Sequence, residues 1–272
     1  MTNQITVDNG SVQTAPVSGA YKVDVSRGTT NGSVSAQWAR RPTDQRFLSL
    51  DALADSVSSR RDRSVQNVVN LQGLRFDASG DRDEIIVDTD LGPATFTNWS
   101  FSQMCTQVGF SAQELRKLPG YLAASVLQAM AIQTGGQSQE YLEATDGGGL
   151  VRAMTGPNYG RIYDADVVGN VQRIVKNGAW KVPGMINWRE GSYDPHVPVT
   201  LENTTLFASD RDVFMFLCDD THPIEVGKLA DGSPDLMFRG IIVSNSETGA
   251  CKLRMSRMYL RGVCCNRMPR GV

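Results

Sequence analysis

Two adjacent segments near the C-terminus have the pattern of a β-hairpin, and this pattern constrains the fold more than any other. Phe238–Val243 alternates as a strand, Asn245–Gly249 is made of turn-forming residues, and Cys251–Cys264 has the pattern of the returning strand. Val213–Leu217 is a continuous apolar run, which is typical of a buried central strand. These segments predict an antiparallel sheet with a C-terminal hairpin.

Helical patterns interrupt the strands. We expect a helical segment over about 97–134, and within it Phe101–Leu118 has the rhythm of a helix-turn-helix corner. Gly109 falls at the turn, and Ser111 with Glu114 forms a capping box for the second helix. Strands clustered around a helical insert predict the α+β class.

Two interpretations of this corner stay open. If its second helix entered a DNA major groove, Gln113, Arg116 and Lys117 would contact the bases. Tight helical corners of this kind are also common in protein cores, where they only pack.

Composition and further patterns predict the domain bounds and the remaining helices and strands. Residues 1–37 are rich in Ser, Thr, Gly, Asn and Val, which favours a flexible N-terminal arm with a short strand at Tyr21–Val25. We expect residues 38–272 to form a single α+β domain. Its remaining elements are predicted to be a helix opened by Ser49, a strand pair at Leu71–Asp77 and Glu84–Asp88, and a helix from Asp164 as N-cap through Lys176.

The second strand of the C-terminal hairpin carries an unusual row of cations. Lys252 and Arg254 alternate with apolar residues, and the phase then slips by one residue before Arg257 and Arg261. A single bulge near Ser256-Arg257 would correct this slip and place five side chains on one face. These side chains are Lys252, Arg254, Arg257, Tyr259 and Arg261, and Arg239 on the preceding strand extends the row.

Cations around an aromatic ring suit a phosphate backbone and a stacked base, so this row predicts a site for single-stranded nucleic acid. Residues 252–272 contain six Lys/Arg and no Asp/Glu, although the net charge of the chain is −2. We therefore expect a local anion-binding surface and not a protein that binds nucleic acid over its whole surface. A solvated outer face of an antiparallel sheet is the alternative explanation.

A second functional hypothesis comes from the acidic segment 194–235, which has nine acids and only two cations, Arg211 and Lys228. Such a face could imitate nucleic-acid charge and bind a basic host protein, as in a factor that inhibits host defence. Under this hypothesis the protein is a non-catalytic binding factor.

A metal-dependent nuclease is a third hypothesis. Six acids would have to assemble for it, namely Asp210, Asp212, Asp219, Asp220, Glu225 and Glu247. No nuclease-type spacing links them, and the two histidines, His196 and His222, lie beside prolines in loops without a C-x-x-C pair. The sequence has neither a P-loop nor a G-x-S-x-G elbow. We therefore predict no metal and no cofactor, and a non-enzymatic role is favoured.

The five cysteines form no C-x-x-C pair, and the N-terminus has no signal-peptide pattern. No apolar run approaches the roughly 20 residues that a membrane-spanning helix needs. We expect free thiols and a soluble protein of the host cytoplasm.

Six ordered motifs resemble the domain of unknown function 932 family, the phage/plasmid-like proteins. They are Trp38–Phe47, Leu118–Ala123, Arg152–Asp164, Ala208–Phe214, Arg239–Gly249 and Val263–Arg267. The resemblance covers about residues 36–271 and implies an origin in a phage, plasmid or integrated element. It implies no activity and supplies no catalytic residue. Lys252, Arg254 and Arg257 stand where members tend to have apolar or small residues, so the cationic row is a prediction from this sequence alone.

Overall fold

The computed structural model describes residues 6–8, 11–13, 41–80, 83–176, 179–183, 186–187, 192–193 and 197–262. The predicted strand at Tyr21–Val25, and the motif Val263–Arg267 with its two cysteines, lie outside these residues. The described chain contains helices and two large, mostly antiparallel sheets, so the α+β class is confirmed.

The helices fall into two groups. Those of the first sheet are α2 (Asn98–Gln107), α3 (Ala112–Leu115) and α4 (Gly120–Thr134). Those of the second sheet are α1 (Leu50–Asp62) and α5 (Asp164–Val175). Short 3-10 turns lie at Thr43–Gln45 and Leu71–Gly73. The strands β1 (Thr6–Asp8) and β2 (Ser11–Gln13) form a separate two-stranded ribbon.

The first sheet has six strands in the order β4-β8-β9-β7-β6-β5. They are β4 (Ser64–Asn70), β5 (Phe76–Ala78), β6 (Ile85–Thr89), β7 (Gly92–Phe96), β8 (Gln137–Thr145) and β9 (Gly148–Thr155). Only the β7–β9 pair is parallel. Its core joins the sheet to α2 and α4 through buried side chains such as Phe96, Phe101 and Leu127.

The second sheet has eight strands, in the order β11-β12-β16-β15-β14-β13-β3, with β10 also paired to β14. Its long strands are β14 (Val213–Lys228), β15 (Pro234–Asn245) and β16 (Arg254–Gly262). The short ones are β3 (Arg46–Phe47), β10 (Trp180–Lys181), β11 (Ile186–Asn187), β12 (Ser192–Tyr193) and β13 (Leu206–Ala208). The predicted hairpin and the predicted central strand are both present.

The two faces of the second sheet are buried differently. Val213, Met215 and Leu217 point to the face that packs on α1 and α5, because alternate residues of a strand share a face. Phe214 and Phe216 point to the other face, where they join a mainly aromatic cluster with Phe238. Both faces of β14 are therefore apolar in this stretch, which explains its continuous apolar run.

Local sequence explains where the helices begin. The side chain of Ser49 accepts a hydrogen bond from the Ala52 N–H and caps α1. Ser111 accepts a hydrogen bond from the Glu114 N–H and caps α3 in the same way, as predicted. Asp164 was expected to cap α5 but is its first residue, and Tyr163 holds the N-cap position. The helical segment and the strand β6 confirm the predictions for those regions, whereas the strand predicted at Leu71–Asp77 begins only at Phe76, because Leu71–Gly73 forms a 3-10 turn.

Candidate nucleic-acid interface

The pairing of β16 with β15 runs without a register shift from Arg254 to Arg261. The bulge predicted near Ser256-Arg257 is therefore wrong. The bulge was predicted on the assumption that the apolar residues Leu253 and Met255 face the core, but both side chains are exposed. The core-facing residues of β16 are instead Met258 and Leu260, which fix the phase of the whole strand.

This register divides the predicted site between the two faces of the sheet. Arg257, Tyr259 and Arg261 alternate onto one face, and Arg239 lies directly opposite Tyr259 on β15. We call these four residues the Tyr259 face. Arg254 shares the opposite face with Ser256, Met258 and Leu260, and exposed Lys252 precedes the strand. Placing Arg254 on one face with Arg257, Tyr259 and Arg261 was therefore wrong, and Lys252 lies outside the paired strand.

The side chains of the Tyr259 face are open to solvent. Tyr259 is 57% exposed. The same-face neighbours of Tyr259 along the strand are also exposed, namely Met255, Arg257 and Arg261. An exposed tyrosine surrounded by three arginines offers a ring for stacking and several donors for anionic groups.

Two of the three arginines already have carboxylate partners. Arg239 forms an ion pair with Asp219, and Arg261 forms two hydrogen bonds to Asp235 at 2.8 and 2.6 Å. Burial raises the pKa of Asp219, but hydrogen bonds from Thr221, His222 and Arg239 outweigh burial, so this pKa lies below its ordinary value. The hydrogen bond from Arg261 likewise lowers the pKa of Asp235. Among the described residues no carboxylate pairs with Arg257, so this residue supplies the uncompensated positive charge.

A second concentration of charge lies buried between the two sheets. Arg152 on β9 is 1% exposed and forms an ion pair with Glu247, which is 2% exposed and lies in the turn between β15 and β16. Glu247 also accepts a hydrogen bond from the Asp164 N–H at 3.1 Å, and Asn245 donates to the Asp164 carboxylate at 2.8 Å. This network ties β9, α5 and the hairpin turn together.

The same turn makes further contacts with α2, a helix of the first sheet. The backbone carbonyl of Thr248 accepts hydrogen bonds from Trp99 at 3.1 Å and from Gln103 at 2.8 Å. Gly249 has a φ of 84°, a conformation that glycine adopts without steric cost. The turn is therefore a fixed connector between the two sheets.

The charges of the buried network are compensated within the protein. Burial first, and then the charge of Glu247, raises the pKa of Asp164 well above its ordinary value. Burial lowers the pKa of Arg152, but Glu247, Tyr141 and Glu143 outweigh burial and raise it. Since its charged groups are sealed from solvent, the network is suited to holding the sheets together and not to binding a substrate.

The helix-turn-helix corner packs against the core. Its second helix, α3, is a single turn of four residues. Arg116 donates to Asn98 and Ser102 and lies 4.9 Å from the centroid of the Phe101 ring. Lys117 forms an ion pair with Glu114 at 2.7 Å. The exposed Gln113 alone of the three proposed base-contacting residues has no such role among the described contacts.

The acids considered for a metal site or an acidic face are dispersed. Asp212 is buried and forms an ion pair with Arg41, while Asp219 binds Arg239 and Asp220 binds Lys181. Within the described ranges, no group of three or more His, Cys, Asp or Glu side chains is placed to hold a metal ion. The described residues therefore contain no metal site for the nuclease hypothesis, and the acidic-face hypothesis stays a prediction.

The remaining expectations concern cysteines and membranes. Cys105, Cys218 and Cys251 are free thiols, as predicted, and burial raises the pKa of each, to about 12, about 12 and about 11 respectively. None of the helices in the described chain is long and apolar enough to span a membrane.

Comparison of the chain with protein-family models, with characterised proteins and with solved structures found no match. The resemblance to the domain of unknown function 932 family rests on its motifs and stays a prediction. Two buried ion pairs each join two of those motifs, since Arg41 pairs with Asp212 and Arg152 pairs with Glu247. The sequence could not have revealed these pairings, because their partners are 171 and 95 residues apart.

Proposed function

We propose that this protein binds single-stranded nucleic acid, without sequence preference, through the Tyr259 face. The observation that carries the proposal is the unbroken register of β16, which places the exposed ring of Tyr259 among Arg239, Arg257 and Arg261. Every base has a flat π-face that can stack on such a ring, so binding is tolerant of sequence.

The ion pairs of Arg239 and Arg261 limit how strongly phosphates are attracted. Binding of single strands releases counterions, and log Kobs falls with log salt with a slope of about −0.7 for each phosphate neutralised. If Arg257 alone neutralises a phosphate, the slope is about −0.7, and if all three arginines contribute it reaches about −2. A shallow salt dependence is therefore part of the proposal.

The biological setting is also proposed. We place this binding in the replication or recombination of a phage or plasmid within the host cytoplasm, because the family resemblance implies an origin in such an element. This placement rests on that resemblance and on no contact in the structure.

The stacking ring gives the direct test. Titration of a fluorescently labelled twelve-nucleotide oligothymidylate at low salt measures affinity by anisotropy. We expect Tyr259→Ala to weaken binding by about 5- to 150-fold, equivalent to about 1–3 kcal/mol for one stacked base. Tyr259→Phe keeps the ring and should bind like the wild type.

Tyr121→Ala is the matched control, because Tyr121 is an exposed tyrosine on α4, which packs on the first sheet. Absence of binding by the wild-type protein at low salt contradicts the proposal. Equal losses in Tyr259→Ala and Tyr121→Ala also contradict it.

A further inference from the structure

A row of directly paired residues crosses the second sheet from β16 to β10. Tyr259 lies opposite Arg239, Arg239 opposite Asp219, and Asp219 opposite Trp180. Residues that lie directly opposite each other point to the same face, so Tyr259 and Trp180 share one face of the sheet. Three strand spacings of about 4.8 Å separate them by about 14 Å.

Trp180 lines an open pocket at the far end of this row. The pocket has a volume of about 590 Å³ and lies between the start of α1, the end of α5 and β10. Leu50, Val175 and Trp180 supply an apolar wall. Arg173, Lys176 and Lys181 supply positive charge, although Lys181 is already paired with Asp220. This volume lies within the range of about 300–1,000 Å³ that is typical of small-ligand pockets.

The charge of the pocket favours an anion. Its acidic lining residue, Asp51, accepts a hydrogen bond from Gln172 at 2.7 Å. Arg173 donates to Asn170 on the same helix, and within the described chain Lys176 is paired with no carboxylate. An apolar wall with an aromatic ring beside two cations that have no carboxylate partner in the described chain suits a nucleotide, whose base stacks while its phosphate meets the positive charge.

Among the described residues of this row, the one carboxylate between the two aromatic residues already has a partner. Asp219 is 1% exposed and is bound by Arg239, whose side chain is 44% exposed and covers the middle of the row. A phosphate backbone that crosses here meets the guanidinium group of Arg239 and not the carboxylate beneath it.

We infer that one nucleic-acid strand crosses the sheet along this row, with a base stacked on Tyr259 and another nucleotide held in the Trp180 pocket. This inference rests on the proposed function and adds the direction of the strand and a second contact point. About 14 Å corresponds to about four steps at the stacked rise of about 3.4 Å per nucleotide. A dinucleotide is too short to reach both sites.

The test compares an eight-nucleotide oligothymidylate with a dinucleotide. Trp180→Leu should weaken binding of the octanucleotide by about 5- to 150-fold, the effect expected for one stacked base. Binding of the dinucleotide at the Tyr259 face, followed by the NMR signals of that ring, should change by less than about twofold. Tyr121→Ala is again the control for loss of an exposed aromatic residue.

A second variant keeps the test independent of folding defects at Trp180. Lys176→Gln removes an exposed charge at the pocket, and Lys117→Gln removes an exposed charge two residues after α3 as its control. We expect Lys176→Gln, and not Lys117→Gln, to weaken octanucleotide binding and to reduce the salt slope by about 0.7.

The outcomes separate this inference from the proposed function. If Tyr259→Ala weakens octanucleotide binding while Trp180→Leu and Lys176→Gln do not, the crossing path is wrong and the proposed function stands. Equal losses for the dinucleotide and the octanucleotide in Trp180→Leu also overturn the crossing path. If none of these variants weakens binding, the proposed function fails and the inference fails with it.

Discussion

Asp164 is the side chain whose ionisation the fold opposes most clearly. Its carboxylate is buried at the start of α5 beside Glu247, and one of its oxygens has no hydrogen-bond partner among the described residues. Asn245, Arg152 and Arg60 favour the charged form, but burial and the negative charge of Glu247 outweigh them. In the folded protein this carboxyl group therefore retains its proton to a higher pH than in the unfolded chain.

This difference gives a prediction for the pH dependence of stability. Between the ordinary pKa of 3.8 and the raised folded pKa, the folded state binds more protons than the unfolded state. The free energy of unfolding contributed by Asp164 therefore falls as pH rises through this window. Asp164→Asn cannot ionise, so its stability relative to the wild type should increase as pH rises from about 4 towards the raised folded pKa.

Thermal or urea unfolding across this pH range measures the effect. Asp166→Asn is the matched control, because Asp166 is an exposed acid in the same first turn of α5. A difference between Asp164→Asn and the wild type that stays constant with pH would contradict the assigned protonation.

At the scale of single elements, the corner formed by α2 and α3 shows how a motif can suggest a function that its packing does not support. Arg116 follows directly on the short helix that was considered for the major groove, yet it donates to Asn98 and Ser102 and packs on Phe101. Its side chain therefore stabilises the joint between the two helices.

We expect Arg116→Ala to lower the free energy of unfolding by about 1–3 kcal/mol, because hydrogen bonds from a charged group and a cation–π contact are lost. Oligonucleotide affinity should stay within about twofold of the wild type. Gln113→Ala, at an exposed position of α3, should change neither quantity. An affinity loss in Arg116→Ala without loss of stability would restore the groove-binding hypothesis.

Sequence periodicity predicted the elements whose partners are close in the chain. The turn at Asn245–Gly249 identified the hairpin β15–β16, and the apolar run at Val213–Leu217 identified β14. Periodicity assigned the side chains of β16 to the wrong sheet faces, because Leu253 and Met255 are apolar but exposed. Trp180 was missed as a candidate site residue because β10 has only two residues and no period to detect.

Over the whole molecule, the charges are arranged so that a small basic surface remains on a chain of net charge −2. Buried acids in the acidic segment serve internal partners, as Asp212 does with Arg41 and Asp219 does with Arg239. The buried Arg152–Glu247 pair holds the hairpin turn against the first sheet. This turn joins β15 and β16, the two strands that carry the Tyr259 face. The central claim is therefore that one face of β16, and not its overall charge, binds the nucleic acid.

Arg257 and Arg254 allow this claim to be measured most directly, because they are exposed arginines on opposite faces of the same strand. Oligothymidylate affinity at low salt should fall at least severalfold in Arg257→Gln, with a salt slope shallower by about 0.7. Arg254→Gln, which makes the same change in net charge, should bind like the wild type. Equal losses in the two variants would show that binding follows total charge and would contradict the assignment of the Tyr259 face.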